Sequence, residues 1–295
     1  MMGGGFPAGR MVQMFGPESS GKSTLLYSGF VQCQKMGGVC VLLDPEASFD
    51  AVRFRRMGGD PDGVIVIQTA YGGKRRTGGG KTKKSKQKAA KEQGLPVLTV
   101  EDVFKYIYDI LDSIACKPEW QGRPVIVGLD SLDNITTDAA IFGDPRGMTD
   151  KPREIRQGLR KITSPIAKSN ACFVVISQTI ENIGGYGPKT RTAGGGGPKF
   201  ISTIRVKTKR AYFGDVDRYQ QDADGNRTGQ ALIESEVIKN KLNRPYLKAI
   251  TAINNDLKVG PHGVDVAYSL LYGLFDDIVK TSGSHRYLVI DNKLP

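Results

Sequence analysis

The chain has no apolar run approaching the ~20 residues that a membrane-spanning helix needs. Its start, MMGGGFPAGR, has no basic stretch leading into an apolar one, so a secretory leader is not expected. Cysteines number only four, Cys33, Cys40, Cys116 and Cys172, and none has C-x-x-C spacing. That disfavours a disulfide framework or a cysteine metal site. The expectation is reduced thiols in a cytoplasmic protein, with Cys40 and Cys172 in apolar runs acting as small core residues. Acidic residues are nearly missing from residues 72–94, GGKRRTGGGKTKKSKQKAAKEQG, which hold nine Lys/Arg and one acid, Glu92. This stretch contributes +8 of the net charge of +12. It also has almost no apolar residue, so it cannot build a core of its own. It is read as a flexible basic insertion that attracts polyanions or serves solubility. No internal repeat and no clean linker divides the remainder, so residues 1–295 read as one domain carrying the 72–94 insertion.

What is present is an alternation of short apolar runs with helical ones, the mark of an α/β fold wound on a mainly parallel sheet. RMVQMFG, GGVCVLLD, GVIVIQT, RPVIVGLDS and NACFVVISQT are the strands. Helices are expected in KSTLLYSGFVQCQKMG, SFDAVRFRRMG, TVEDVFKYIYDILDSIA and REIRQGLRKITSPIAKS. From Phe200 the spacing changes to an antiparallel meander, FISTIRVKTKRAYFG, GQALIESEVIKNK and PYLKAITAI, with a turn at Asp224, Gly225 and Asn226. VDVAYSLLYGLFDDIVKTSG is expected to be a short helical end before HRYLVID.

Gly16-x-x-x-x-Gly21-Lys22-Ser23 follows an apolar strand and opens a helix, which is the phosphate-loop pattern in its proper context. Its backbone amides, with Pro17, Glu18, Ser19, Ser20 and Thr24 around them, would converge on phosphate oxygens at a helix N-terminus. Lys22 supplies a cation for the β- and γ-phosphates, and the Ser23 hydroxyl can ligate Mg²⁺. Asp130, closing the VIVGLD strand, suits the Mg²⁺ hydration shell, although a strand-terminal Asp can also cap a helix. Glu46, just past the second strand, could orient an attacking water.

Together GPESSGKSTL, LLDPEASFD, VIVGLDSLDNIT, VVISQTIENIG, TAGGGGPKF and VIKNKLNRPY resemble the RecA family of DNA recombinases, from about Gly3 to Val289. The resemblance implies a RecA-like core with ATP and Mg²⁺ as cofactors. It makes Glu46 the catalytic glutamate and Gln178 the sensor of the γ-phosphate. Asp50 and Arg53 fall with the nucleotide-binding residues. At Arg53 the family more often has an aromatic packed on adenine, so contact there is by cation stacking or is missing.

Two segments, roughly residues 136–153 and 181–199, would hold single-stranded DNA. Met148 and Arg153 match the first, and Arg160 lies on the helix beyond it. In the second, Ile183, Gly184, Gly194 and Gly195 match, with Tyr186 near an inserted side chain and Lys189, Arg191 and Lys199 supplying charge. Lys239 and Lys241 match lysines that reach the ATP of a neighbouring subunit, and Phe200 matches a position at the subunit boundary.

The function implied is an ATP-dependent recombinase that forms a helical filament on single-stranded DNA and exchanges strands with homologous duplex DNA. Its DNA-stimulated ATP hydrolysis would serve recombination and repair in a bacterial or phage-infected cytoplasm, with no membrane partner. Two other readings stay open: a ring-forming helicase or translocase on the same core, and an ATP-binding recombination mediator that does not form filaments. The family's N-terminal subunit-docking module and its C-terminal duplex-capturing domain are expected to be missing here, the chain either polymerising through another surface or starting internally. Residues 74–91 are expected to substitute as a duplex-attracting arm.

Overall fold

The structure, a computed structural model, describes residues 5–68, 98–141, 147–181, 190–192, 195–211, 229–255, 262–266, 269, 279–282 and 285–288. The side chains of 138, 141, 147–149, 180–181, 190–191 and of the last two stretches lie outside that description. So do the basic insertion and the Asp224–Asn226 turn.

Five strands form the parallel half of the sheet: β1 (Met11–Gly16), β2 (Val39–Asp44), β3 (Val64–Gln68), β4 (Val125–Leu129) and β5 (Cys172–Glu181). A short β6 (Thr190–Thr192) folds back antiparallel on the end of β5. Then come β7 (Ile204–Arg210), β8 (Gln230–Asn240), β9 (Lys248–Asn254) and β10 (Gly263–Asp265). The order across the sheet is β10-β9-β8-β7-β1-β5-β4-β2-β3. From β7 to β3 every neighbour is parallel, and from β7 to β10 every neighbour is antiparallel. A separate hairpin pairs β11 (Val279–Ser282) with β12 (His285–Leu288).

Near-continuous apolar runs in β1, β2, β4 and β5 follow from burial of both faces. Val41, Leu43, Val127, Leu129, Phe173 and Val175 point to one face. They pack on α3 (Val100–Cys116) and on a long later helix, Gly147–Ser169. Cys40, Leu42, Ile126, Val174 and Ile176 point to the other, against α1 (Lys22–Lys35) and α2 (Ala51–Arg56). Each fully buried Leu or Phe in these layers contributes about 1.5–3 kcal/mol. The expected core roles of Cys40 and Cys172 hold, since both are buried and unpaired. Among the described residues no helix is long and apolar enough to cross a membrane.

Several boundaries differ from the sequence expectation. The helix after β2 starts at Ala51 rather than Ser48, because Asp50 caps it by accepting from the Val52 and Arg53 amides. Much of residues 136–153, expected as a loop, is helical: α4 is Asp138–Ile141, and α5 runs over Gly147–Ser169. GGGGPKF ends in a helical turn, α6 (Gly197–Ile201), rather than open loop. In the expected helical end Val266 and Ser269 are helical, between strands at Gly263–Asp265 and Val279–Ser282, with residues 267–268 and 270–278 outside the description.

Candidate active site

All five parallel strands point their carboxyl ends to one edge, and the chain passes from β1 to β2 across two strands that are added later. Such a switch point opens a crevice for ligands. Gly16 lies beside Gln178 in register, Asp44 beside Gln68, and the Asp130 amide donates to the Leu43 carbonyl at 3.0 Å. The residues that arrive at this edge are those of the phosphate loop, the turn after β2, the turn after β4 and the end of β5.

The loop's glycines are fixed by close approach. A Cβ at Gly16 would lie 2.1 Å from the Thr208 carbonyl on β7, and one at Gly21 would lie 2.7 Å from Ile253 Cδ1 on β9. Gly21 also has φ +78°, where an L side chain is strained. Ser20 Oγ shares a hydrogen bond with Thr208 Oγ1 at 2.9 Å. Lys22 is buried with its ammonium folded into the loop, donating to the carbonyls of Gly16 at 3.1 Å and Pro17 at 2.6 Å. Burial lowers its pKa, opposed by Asp130, Asp133, Glu18 and Glu46. Arg53 reaches back to the same loop: Nη2 donates to Thr24 Oγ1 at 2.6 Å and to Asn255 Oδ1 at 3.3 Å.

A short turn after β4, from Asp130 through the 3₁₀ segment Leu132–Asn134, holds the remaining parts together. Asp130 is buried beside Ser23, whose hydroxyl favours its charged form, and its Oδ2 has no hydrogen-bond partner among the described residues. Glu46 is exposed, and both of its donors, Ser131 Oγ at 2.6 Å and Asn134 Nδ2, converge on Oε1. Asp133 accepts the Gln178 backbone N–H on Oδ2, and burial raises its pKa. Asp44, wholly buried, closes the turn that carries Glu46. Its Oδ2 accepts from the Phe49 amide at 2.8 Å and from Gln68 Nε2 at 2.9 Å.

These residues fit a hydrated divalent cation beside a phosphate chain: a hydroxyl, an adjacent carboxylate with an unpartnered oxygen, and a lysine next to them. Burial pushes Asp130 up to about 6, helped by Glu46 and Asp44 and opposed by the Ser23 hydroxyl and Lys22. Between the ordinary carboxylate range and about 6, the folded state therefore holds more protons here than the unfolded state. Stability from this group is lost as the pH rises through that window. In protein free of nucleotide and divalent cations, Asp130→Asn is expected to raise Tm near neutral pH. The gain should shrink as the pH falls below about 6, where the wild-type carboxyl is protonated. Thermal melts at two pH values check this, and a pH-independent difference contradicts it.

The other expected residues lie as follows. Arg153 and Arg160 are exposed on α5, Lys199 is exposed on α6, and Met148 is at the start of α5. Gly195 packs on Pro152, and Gly197 on Arg156, so the ends of the two expected DNA segments meet. Arg191 pairs in register with Ile180 at the end of β5. Ile183, Gly184, Tyr186, Lys189 and Gly194 lie outside the described residues. Lys239, expected to reach outward, donates to the Lys199 and Phe200 carbonyls of its own chain at 2.9 and 3.1 Å. Its pKa is lowered by burial, then by Lys241 and Arg205. Lys241 is exposed, as is the Phe200 ring. Asp50 serves as the α2 cap. Sequence reading missed Asp44, Asp133, Asn134 and Asn255; the only hint was the polar run SLDN straight after Asp130.

The family model for the RecA N-terminal domain matches residues 1–76 and 111–257, its break taking in most of the basic stretch. The chain is 30% identical over 286 residues to the protein RecA of Wolinella succinogenes, covering 95% of this chain and 68% of that protein. To the protein RecA of Nautilia profundicola it is 32% identical over 290 residues, covering 95% and 68%. The figures for the protein RecA of Sulfurimonas denitrificans are 30%, 95% and 69%.

Proposed function

This chain belongs to the RecA family, and from that premise we propose that it is an ATP-dependent recombinase that coats single-stranded DNA and exchanges strands with homologous duplex. The observation that carries the reading is the meeting of the phosphate loop, Glu46, Asp130 and Gln178 at one edge of the sheet, with the turn after β4 hydrogen-bonded to both Glu46 and Gln178.

In this reading Lys22 and the loop amides hold the ATP phosphates, with Ser23 and Asp130 on the Mg²⁺. The bound Mg²⁺ would neutralise charge on the phosphates. Glu46, with both protein donors on Oε1, presents Oε2 to the attacking water. Arg53, tied to Thr24, lies toward the base. Gln178 heads the segment that carries Ile183, Gly184, Tyr186, Lys189, Arg191, Gly194, Gly195 and Lys199 to the DNA, beside Met148, Arg153 and Arg160. Lys239 and Lys241 flank exposed Phe200 on the surface that would meet the next subunit, where a cation supplied in trans would make hydrolysis depend on assembly. Residues 1–295 act as one core, with the basic insertion as a duplex-attracting arm.

Electron microscopy with single-stranded DNA and a non-hydrolysable ATP analogue tests the reading. Continuous helical filaments that require the analogue are expected. Rings on the DNA would move the protein to the translocase class, and bare DNA despite nucleotide binding would favour a mediator.

A further inference from the structure

The turn after β4 does more than contribute Asp130. We propose that Asp133 is the positioning residue that links the nucleotide site to both DNA segments, an inference that rests on the function proposed above.

Asp133 bonds in two directions. Its carboxylate Oδ2 accepts the backbone N–H of Gln178, at the root of the second segment. Its backbone carbonyl accepts from Lys151 Nζ at 2.7 Å, and Lys151 lies in the first turns of α5, within the first segment. On the nucleotide side it sits three residues after Asp130, which is buried beside Ser23, and next to Asn134, which holds Glu46. Lys22 and Glu46 both act on its charge. The turn from Asp130 to Asn134 thus carries bonds to the glutamate and to the roots of both segments, and its carboxylates act on Lys22 of the phosphate loop.

A carboxylate buried only for structure would be expected to use both of its oxygens, because an unmatched one is costly. Here Oδ1 is buried with no hydrogen-bond partner among the described residues. The two segments are joined again farther out, where Gly195 rests on Pro152 and Gly197 on Arg156. A displacement of the Asp130–Asn134 turn therefore cannot move one root without the other. Ligand-driven movement of that turn is the two-state element that coupling between sites requires.

The test uses the whole chain at fixed salt, since DNA affinity varies steeply with ionic strength. The affinity for a fluorescein-labelled oligothymidine is measured with and without a non-hydrolysable ATP analogue, and the analogue's affinity with and without DNA. Linkage requires the two ratios to agree, and coupling of this kind is typically about 5–150-fold. In Asp133→Ala, which loses the Gln178 bond but keeps the backbone carbonyl that Lys151 holds, the ratio should fall most of the way toward 1, with each ligand's affinity in the absence of the other unchanged. Lys151→Met should lose part of the ratio, and Asp133→Asn, whose amide oxygen can still accept from Gln178, should keep part of it.

A ratio preserved in Asp133→Ala overturns the inference, as does a folded Asp133→Ala that loses either individual affinity, because Asp133 would then belong to a binding site itself. Should Asp133→Ala fail to fold, full coupling in both Asp133→Asn and Lys151→Met overturns it equally. A wild-type protein whose DNA affinity ignores the analogue overturns the function reading, and this inference falls with it.

Discussion

Replacing Glu46 with glutamine should lower single-stranded-DNA-stimulated ATP hydrolysis by about 10²–10⁴-fold, the range for removing a positioned general base. Glutamine keeps the shape, and its amide oxygen can still accept from Ser131 and Asn134 as Oε1 does. The amide cannot take a proton from water. Binding of the ATP analogue and analogue-dependent filaments should survive, so the loss should fall on kcat with KM little changed. Steady-state hydrolysis together with microscopy of the same preparation separates the two. A variant that hydrolyses normally would mean that another group activates the water. One that also loses filaments would mean that Glu46 is structural.

The second large effect is expected at Lys22. Its ammonium is already desolvated, and in this structure it is satisfied by the carbonyls of Gly16 and Pro17. On binding it would exchange those neutral acceptors for phosphate oxygens. Truncating one member of such a buried charged pair costs about 2–5 kcal/mol, tens- to thousands-fold in affinity. Lys22→Ala should therefore lose the analogue, measured by fluorescence titration, and with it every nucleotide-dependent property. Lys22→Arg should not rescue, because the planar guanidinium is bulkier than the ammonium it would replace in a buried loop. The fold should persist, since the change removes a buried charge along with its hydrogen bonds. A folded Lys22→Ala that binds the analogue as tightly as wild type would remove the loop from the phosphate site.

How much of this was legible in the sequence varies with the range of the interaction. The phosphate loop is contiguous, so Gly16 to Thr24 could be read directly, as could strands whose both faces are buried. Asp130, closing a strand, and Glu46, just past one, could be proposed from position, since parallel strands share an edge, while Gln178 rests on the family resemblance. Asp44 and Asp133 could not, because their meaning depends on which strand ends become neighbours. Asp44 matters through Gln68 on β3, and Asp133 through Gln178 on β5. Periodicity says nothing about that adjacency. The helix expected from Arg153 begins at Gly147 instead, so α5 takes in Pro152. Near a helix start a proline sacrifices only one backbone bond, and Pro152 gains a contact with Gly195. Lys239 is expected, from the resemblance, to reach a neighbouring subunit's ATP, and its bonds to its own chain follow from α6 ending beside β8.

Gly16 and Gly21 have a mechanical meaning as well as a conformational one. Each is pressed against the antiparallel half of the sheet, Gly16 on the Thr208 carbonyl and Gly21 on Ile253 and Ile233. The loop therefore has a backstop: it cannot recoil toward β7, β8 or β9 when a ligand loads it. It serves as the anvil of the site, and the turns after β2, β4 and β5, which share its edge, are the parts expected to yield. A nucleotide loading the loop is therefore expected to displace those turns rather than the meander from β7 onward.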